Sequence, residues 1–107
     1  MKRSLIYALA LSAALPFAAQ AEDYVLTLKN NQFSPKVLTV PAGQRIKLIV
    51  KNQDATPAEF ESSDLNREKV VSANSEIVVF IGPLDAGSYG YFDDFHRDTT
   101  TGTIIAK

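Results

Sequence analysis

Five residues of this 107-residue chain have types and spacings suited to holding a metal ion. Asp93, Asp94 and His96 fall within the stretch "YGYFDDFHRDTTTG", and His96 is the only histidine. Glu59 and Glu61 flank Phe60 in "AEFES". Alternate side chains of an extended segment share a face, so Glu59 and Glu61 point one way and Phe60 the other. Once Phe60 enters a core, the two carboxylates are left together. Asp93 is in phase with Tyr89 and Tyr91 and should enter the end of the core behind them. A carboxylate there must be neutralised, hydrogen-bonded or metal-bound, because stripping its water alone costs several kcal/mol. Asp94 opens the loop, and His96 lies three residues beyond Asp93.

Carboxylate oxygens with one imidazole suit iron, manganese, zinc or divalent copper, and select against monovalent copper. Several acidic ligands together favour a highly charged ion. Each residue also has a plainer use. His96 could bond to Asp93 or to Asp94, and Asp94 could cap the loop through a backbone N–H. Glu59 and Glu61 could form a solvated face paired with Lys51 or Lys69, a contact of little energetic weight. Tyr89 and Tyr91 read as core aromatics whose hydroxyls find polar partners. "DLNREK" reads as a surface charge run. No nucleophile–base pair, phosphate loop or zinc-hydrolase motif occurs, which argues against hydrolysis.

The elements that must position these groups are strands. Residues 1–21, "MKRSLIYALALSAALPFAAQA", read as a cleavable signal peptide: Lys2 and Arg3 precede a short apolar run, Pro16 ends it, and Ala19-Gln20-Ala21 fits the cleavage pattern. The expectation is export to the periplasm and a mature domain over 22–107. The 11 basic and 12 acidic residues nearly balance, and losing Lys2 and Arg3 leaves the mature part mildly acidic. With no basic stripe, nucleic acid is excluded as a partner. With no cysteine, the domain must hold together by packing or a metal rather than by disulfides. "YVLTLKN", "KVLTV", "RIKLIVKN", "EIVVFI", "GSYGYF" and "GTIIAK" read as strands, with Ile46, Leu48 and Val50 alternating inward against Lys47 and Lys51. "EIVVFI" reads as a strand buried on both faces or between sheets. "SSDLNREK" reads as a helical turn or an irregular edge. Five to seven short strands in one domain predict an all-β, Greek-key β-sandwich.

Taken in order, "FSPKVLTVPAGQRIKLIVKNQD", "SANSEIVVFIGPLDAGSYGYFDDFH" and "GTIIA" resemble the cupredoxin domains across the whole mature chain. Laid on the blue copper pattern, Asp93 takes the cysteine place, His96 the histidine place and Thr100 the methionine place. Ala58, after Pro57, stands where the first histidine would be. A blue centre needs a thiolate, so the resemblance implies a centre that is not type 1 blue copper. "EFESSDLNREK" and "FDDFH" resemble the EfeO-type branch, small periplasmic cupredoxin-like domains associated with ferrous iron permeases. That resemblance implies a copper or iron ion held near Glu59, Glu61, Asp93, Asp94 and His96. It implies a role beside an iron permease or a periplasmic iron-binding partner, and leaves a ferroxidase role open. The competing reading is a metal-free sandwich that docks a periplasmic or membrane partner.

Overall fold

A computed structural model describes residues 22–107; the expected signal peptide lies outside the described residues. Nine strands follow one another: β1 (Glu22–Lys29), β2 (Gln32–Ser34), β3 (Val37–Val40), β4 (Ile46–Asn52), β5 (Ala58–Ser62), β6 (Arg67–Val71), β7 (Ser75–Ile81), β8 (Gly87–Asp93) and β9 (Thr101–Ala106). Among the described residues one 3₁₀ turn, Asp94–His96, joins β8 to the last loop. The strands form two sheets, one ordered β2-β1-β4-β7 and the other β3-β9-β8-β5-β6. Both are mixed, since β1 runs parallel to β4 and β3 parallel to β9. The expected all-β sandwich is what forms.

Its core follows from period-two alternation. Along β4, Ile46, Leu48, Val50 and Asn52 are buried, and the lysines between them face out. They meet Phe60, Tyr91 and Ile104 from the other sheet, with Leu26 and Leu28 alongside. At this spacing each inward side chain removes about 1.5–3 kcal/mol worth of apolar surface from water. Local turns are fixed by side chains. Asn30 and Asn31 both have positive φ, 52° and 58°, which suits a tight two-residue hairpin turn. Asp54 accepts from both of their N–H groups, at 2.6 and 3.0 Å.

The strands outnumber the expected five to seven because Gln32–Ser34 pairs as the short strand β2 and because "SSDLNREK" is neither a helical turn nor irregular. It ends β5, turns, and returns as β6. Ser62 Oγ accepts from the N–H of Leu65 at 3.0 Å and donates to Gly90 O at 2.6 Å, and Leu65 is buried. β6 hides its identity because it is an edge strand, with four of its five residues exposed and no alternation to read. "EIVVFI" is also corrected. It becomes β7, an edge strand with one covered face, and Phe80 remains 40% exposed. The guanidinium of Arg45 lies 4.2 Å above the Phe80 ring and covers part of it.

Candidate metal centre

β5 and β8 are antiparallel neighbours, with Phe60 opposite Asp93 and Glu61 opposite Phe92. Ala58, Phe60 and Ser62 are buried, so Glu59 and Glu61 share the outer face. Asp94, at the start of the 3₁₀ turn, joins them there. One oxygen each from Glu59, Glu61 and Asp94 lies within 4.8 Å of the others. Lost hydration is the main cause that raises the Glu59 carboxyl above its ordinary value, followed by a hydrogen bond to Asp94 and the charges of Glu68, Asp94 and Glu61. Lost hydration also leads for Glu61, with Asp94 and Glu68 adding repulsion and Arg97 opposing it. The contact between Glu59 and Asp94 raises the first and lowers the second. Arg97 holds Asp94 below the ordinary carboxylate range; its Nε donates to Asp94 Oδ1 at 3.1 Å, and its Nη2 donates to the same oxygen. The same guanidinium stacks 4.6 Å over the ring of Phe92. Glu61 Oε1 is buried and has no hydrogen-bond partner. The cluster is therefore short of positive charge, and one of its oxygens has lone pairs that no hydrogen bond uses.

Asp93 and His96 form a separate pair. Asp93 is 1% exposed and enters the sandwich beside Tyr91. Its Oδ1 accepts from the N–H groups of Glu59 and Phe95, at 2.9 and 3.0 Å. Its Oδ2 lies 3.0 Å from His96 Nδ1. That contact occupies Nδ1 and leaves Nε2 as the other nitrogen of the ring. The N–H of Asp93 donates to Thr100 O at 2.9 Å, and Thr100 Oγ1 donates to Asn31 O at 2.7 Å. One carboxylate thus ties β5, the 3₁₀ turn and the histidine together, while Thr100 ties the same end to the β1–β2 turn.

Of the five residues singled out from sequence, three converge on the outer face and two pair behind them. The plainer uses resolve as follows. His96 bonds to Asp93 rather than Asp94, and Asp93, not Asp94, caps the 3₁₀ turn. Lys69 does not serve the glutamates; its ammonium reaches Val78 O at 3.4 Å. Lys51 is on the other sheet. The Tyr89 hydroxyl donates to Asp85 O at 2.7 Å, but the buried Tyr91 hydroxyl has no partner, contrary to expectation. Two contributors were missed. Arg97 follows Asp94 by three positions, a spacing that stacks side chains on a 3₁₀ turn. Glu68 stands opposite Glu61 in the β5–β6 hairpin, a neighbour visible only once that hairpin is recognised.

The donor set decides what can bind at the end of the sandwich. Ala58, 3% exposed, offers no ligand atom, and the Thr100 hydroxyl and both Asp93 oxygens are committed to the protein. With no cysteine in the chain, a sulfur-ligated copper centre does not fit there.

Comparison with known proteins gives a consistent picture. A family model described as a cupredoxin-like domain matches residues 3–106. An uncharacterized protein of Rickettsia prowazekii (strain Madrid E) is 45% identical over 82 residues, covering 77% of this chain and 66% of that protein. The chain thus spans just under two thirds of that relative's length. Among solved structures, auracyanin A, a "blue" copper protein from Chloroflexus aurantiacus, superposes with a TM-score of 0.67 at 16% identity, covering 79% of this chain and 98% of that one. Auracyanin B gives 0.72 at 13% identity over 86% and 93% of the two chains. An oxidized amicyanin variant gives 0.66 at 16% identity over 90% and 89%. At such identities the likeness concerns the fold.

Proposed function

The chain belongs to the cupredoxin-like domain family, and we propose that it is an exported metal-binding member whose cation is held on Glu59, Glu61 and Asp94. The observation that carries this reading is the meeting of three carboxylate oxygens within 4.8 Å on the outer face of one sheet. Like charges so close are unfavourable without a proton or a cation between them, and that repulsion adds to lost hydration in raising Glu59 and Glu61. An all-oxygen donor set prefers hard ions of charge two or three, with iron and manganese ahead of monovalent copper. Divalent copper remains a strong competitor at any such site, and His96, at the far end of the 3₁₀ turn that Asp94 begins, is the one imidazole the chain can offer it. Asp93 supports the site from behind by holding the Glu59 backbone.

The resemblance to EfeO-type domains makes iron the candidate cargo and a membrane iron permease, or a periplasmic iron-binding protein, the candidate recipient. The apolar leader over 1–21 supports periplasmic residence. An ion on an open sheet face, with coordination positions left to water or a partner, suits carriage and transfer better than a sealed structural site. Val70 and Phe95, each 50% exposed, supply the alternative reading of a metal-free docking module.

Calorimetric titration of chelator-treated protein with ferrous, ferric, manganous and cupric ions separates the two. Metal binding predicts one ion per chain, with Glu61→Gln losing at least the roughly 10–100-fold that removing a supporting partner costs. Absence of binding at micromolar concentration, or binding that the triple variant Glu59→Gln/Glu61→Gln/Asp94→Asn leaves unchanged, would favour the docking module.

A further inference from the structure

The open side of the sandwich lies between two edge strands, β6 of the larger sheet and β7 of the smaller. Among the described residues no backbone ladder joins them, and a cleft of about 300 Å³ lined by Arg67, Glu68, Lys69, Val78, Val79 and Phe80 separates them. β7, "SEIVVFI", carries one charged residue and is otherwise mostly β-branched or aromatic. A seven-residue apolar edge with free backbone groups is a template for strand addition. Two side chains of β6 occupy it. Arg67 Nε donates to Phe80 O at 2.9 Å, and Lys69 Nζ donates to Val78 O at 3.4 Å. The order is antiparallel, 67 with 80 and 69 with 78, so the cations take the positions that a neighbouring strand's N–H groups would take. Arg67 is itself anchored, since Nη1 donates to Asn66 O at 2.9 Å and to Leu65 O at 3.4 Å in the β5–β6 turn. One guanidinium thereby binds carbonyls of both sheets.

We propose that Arg67 and Lys69 form a side-chain latch that keeps the β7 edge from pairing with β7 of a second copy of this chain. An antiparallel β7–β7 pair would use the outward N–H and C=O groups of Val78 and Phe80. It brings little charge repulsion, Glu76 being the only charged residue on the strand. With the latch in place, two of the acceptors are already taken and two cations block the approach.

The test uses Arg67→Thr/Lys69→Thr, which shortens both side chains and keeps strand propensity. The control Lys47→Thr/Lys51→Thr removes the same charge from the outer face of β4, one strand in from the edge, where neither lysine touches the outward carbonyls of β7. Circular dichroism verifies folding, and light scattering after size exclusion reads the mass across a concentration series. The latch predicts that the edge variant at least doubles in mass, gains hydrogen-exchange protection at Val78 and Phe80, and returns to wild-type mass when Val78→Pro is added. It predicts wild-type mass for the control. An edge variant that keeps wild-type mass, a control that associates equally, persistent association with Val78→Pro, or a wild type already paired through β7 would each overturn it.

Discussion

Replacing Asp93 by alanine tests whether the end of the sandwich is held by its own hydrogen bonds. The carboxylate is 1% exposed and accepts from Glu59 N–H, Phe95 N–H and His96 Nδ1, at 2.9, 3.0 and 3.0 Å. Alanine leaves two backbone N–H groups without an acceptor, each costing about 1–3 kcal/mol, and removes the charge-assisted bond to histidine. The expected loss is about 4 kcal/mol. For a domain of this size each kcal/mol lowers Tm by about 4–8 °C, so the variant should melt about 16–32 °C below wild type. Asp93→Asn keeps one oxygen for the two N–H groups and should lose only about 1–2 kcal/mol. Thermal and urea unfolding in chelator, followed by far-UV circular dichroism, gives both values without any metal contribution. An alanine variant as stable as wild type would refute the account of Asp93 as the tie between β5 and the 3₁₀ turn. An asparagine variant more stable than wild type would mark the carboxylate as an uncompensated buried charge.

Three further outcomes follow from the same structure. Tyr91→Phe should be neutral or stabilising by up to about 1 kcal/mol in urea unfolding, because it removes a buried hydroxyl that has no partner. Gly102→Ala should destabilise by about 1–3 kcal/mol in the same assay, since the added Cβ would fall on the Tyr91 ring and hydroxyl packed over that glycine. The third concerns pH. Glu59 and Glu61 have raised folded-state values, so the folded protein binds their protons more tightly than the unfolded chain does. Stability is then lost as pH rises through the interval above the ordinary 4.5. Glu59→Gln/Glu61→Gln should therefore gain stability relative to wild type as pH climbs to neutrality in a pH series of melts. Asp94→Asn should show the reverse sign, because the lowered Asp94 contributes stability that is lost as pH falls.

Regular alternation made much of this legible beforehand. Ile46, Leu48 and Val50 announce β4, and Phe60 between two glutamates announces which way Glu59 and Glu61 point. Asp93, in phase with Tyr91, had to be buried and therefore had to be satisfied; its burial and its hydrogen bonds agree with that requirement. What stayed hidden depends on tertiary neighbours. β6 is exposed along most of its length and shows no period, so the hairpin that puts Glu68 opposite Glu61 could not be read. The edge position of β7 was equally silent, because its apolar outer residues mimic a doubly buried strand until Arg45 is seen to lie over the Phe80 ring and Arg67 to take the Phe80 carbonyl. Loop spacing admitted either Asp93 or Asp94 as the partner of His96. The 3₁₀ turn decides it by placing Asp94 outside with the glutamates and leaving Asp93 inside with the ring.

Manganous ion, titrated into isotope-labelled, chelator-treated protein, reports the position of a bound cation directly through paramagnetic broadening of backbone amide signals. A cation on the outer-face carboxylates should first erase Glu59, Glu61, Phe92 and Asp94, sparing the turn over 41–45 at the opposite end of the sandwich, and Glu61→Gln should shift that loss to higher manganese. Broadening centred elsewhere, or uniform weak broadening that Glu61→Gln leaves unaltered, would contradict it.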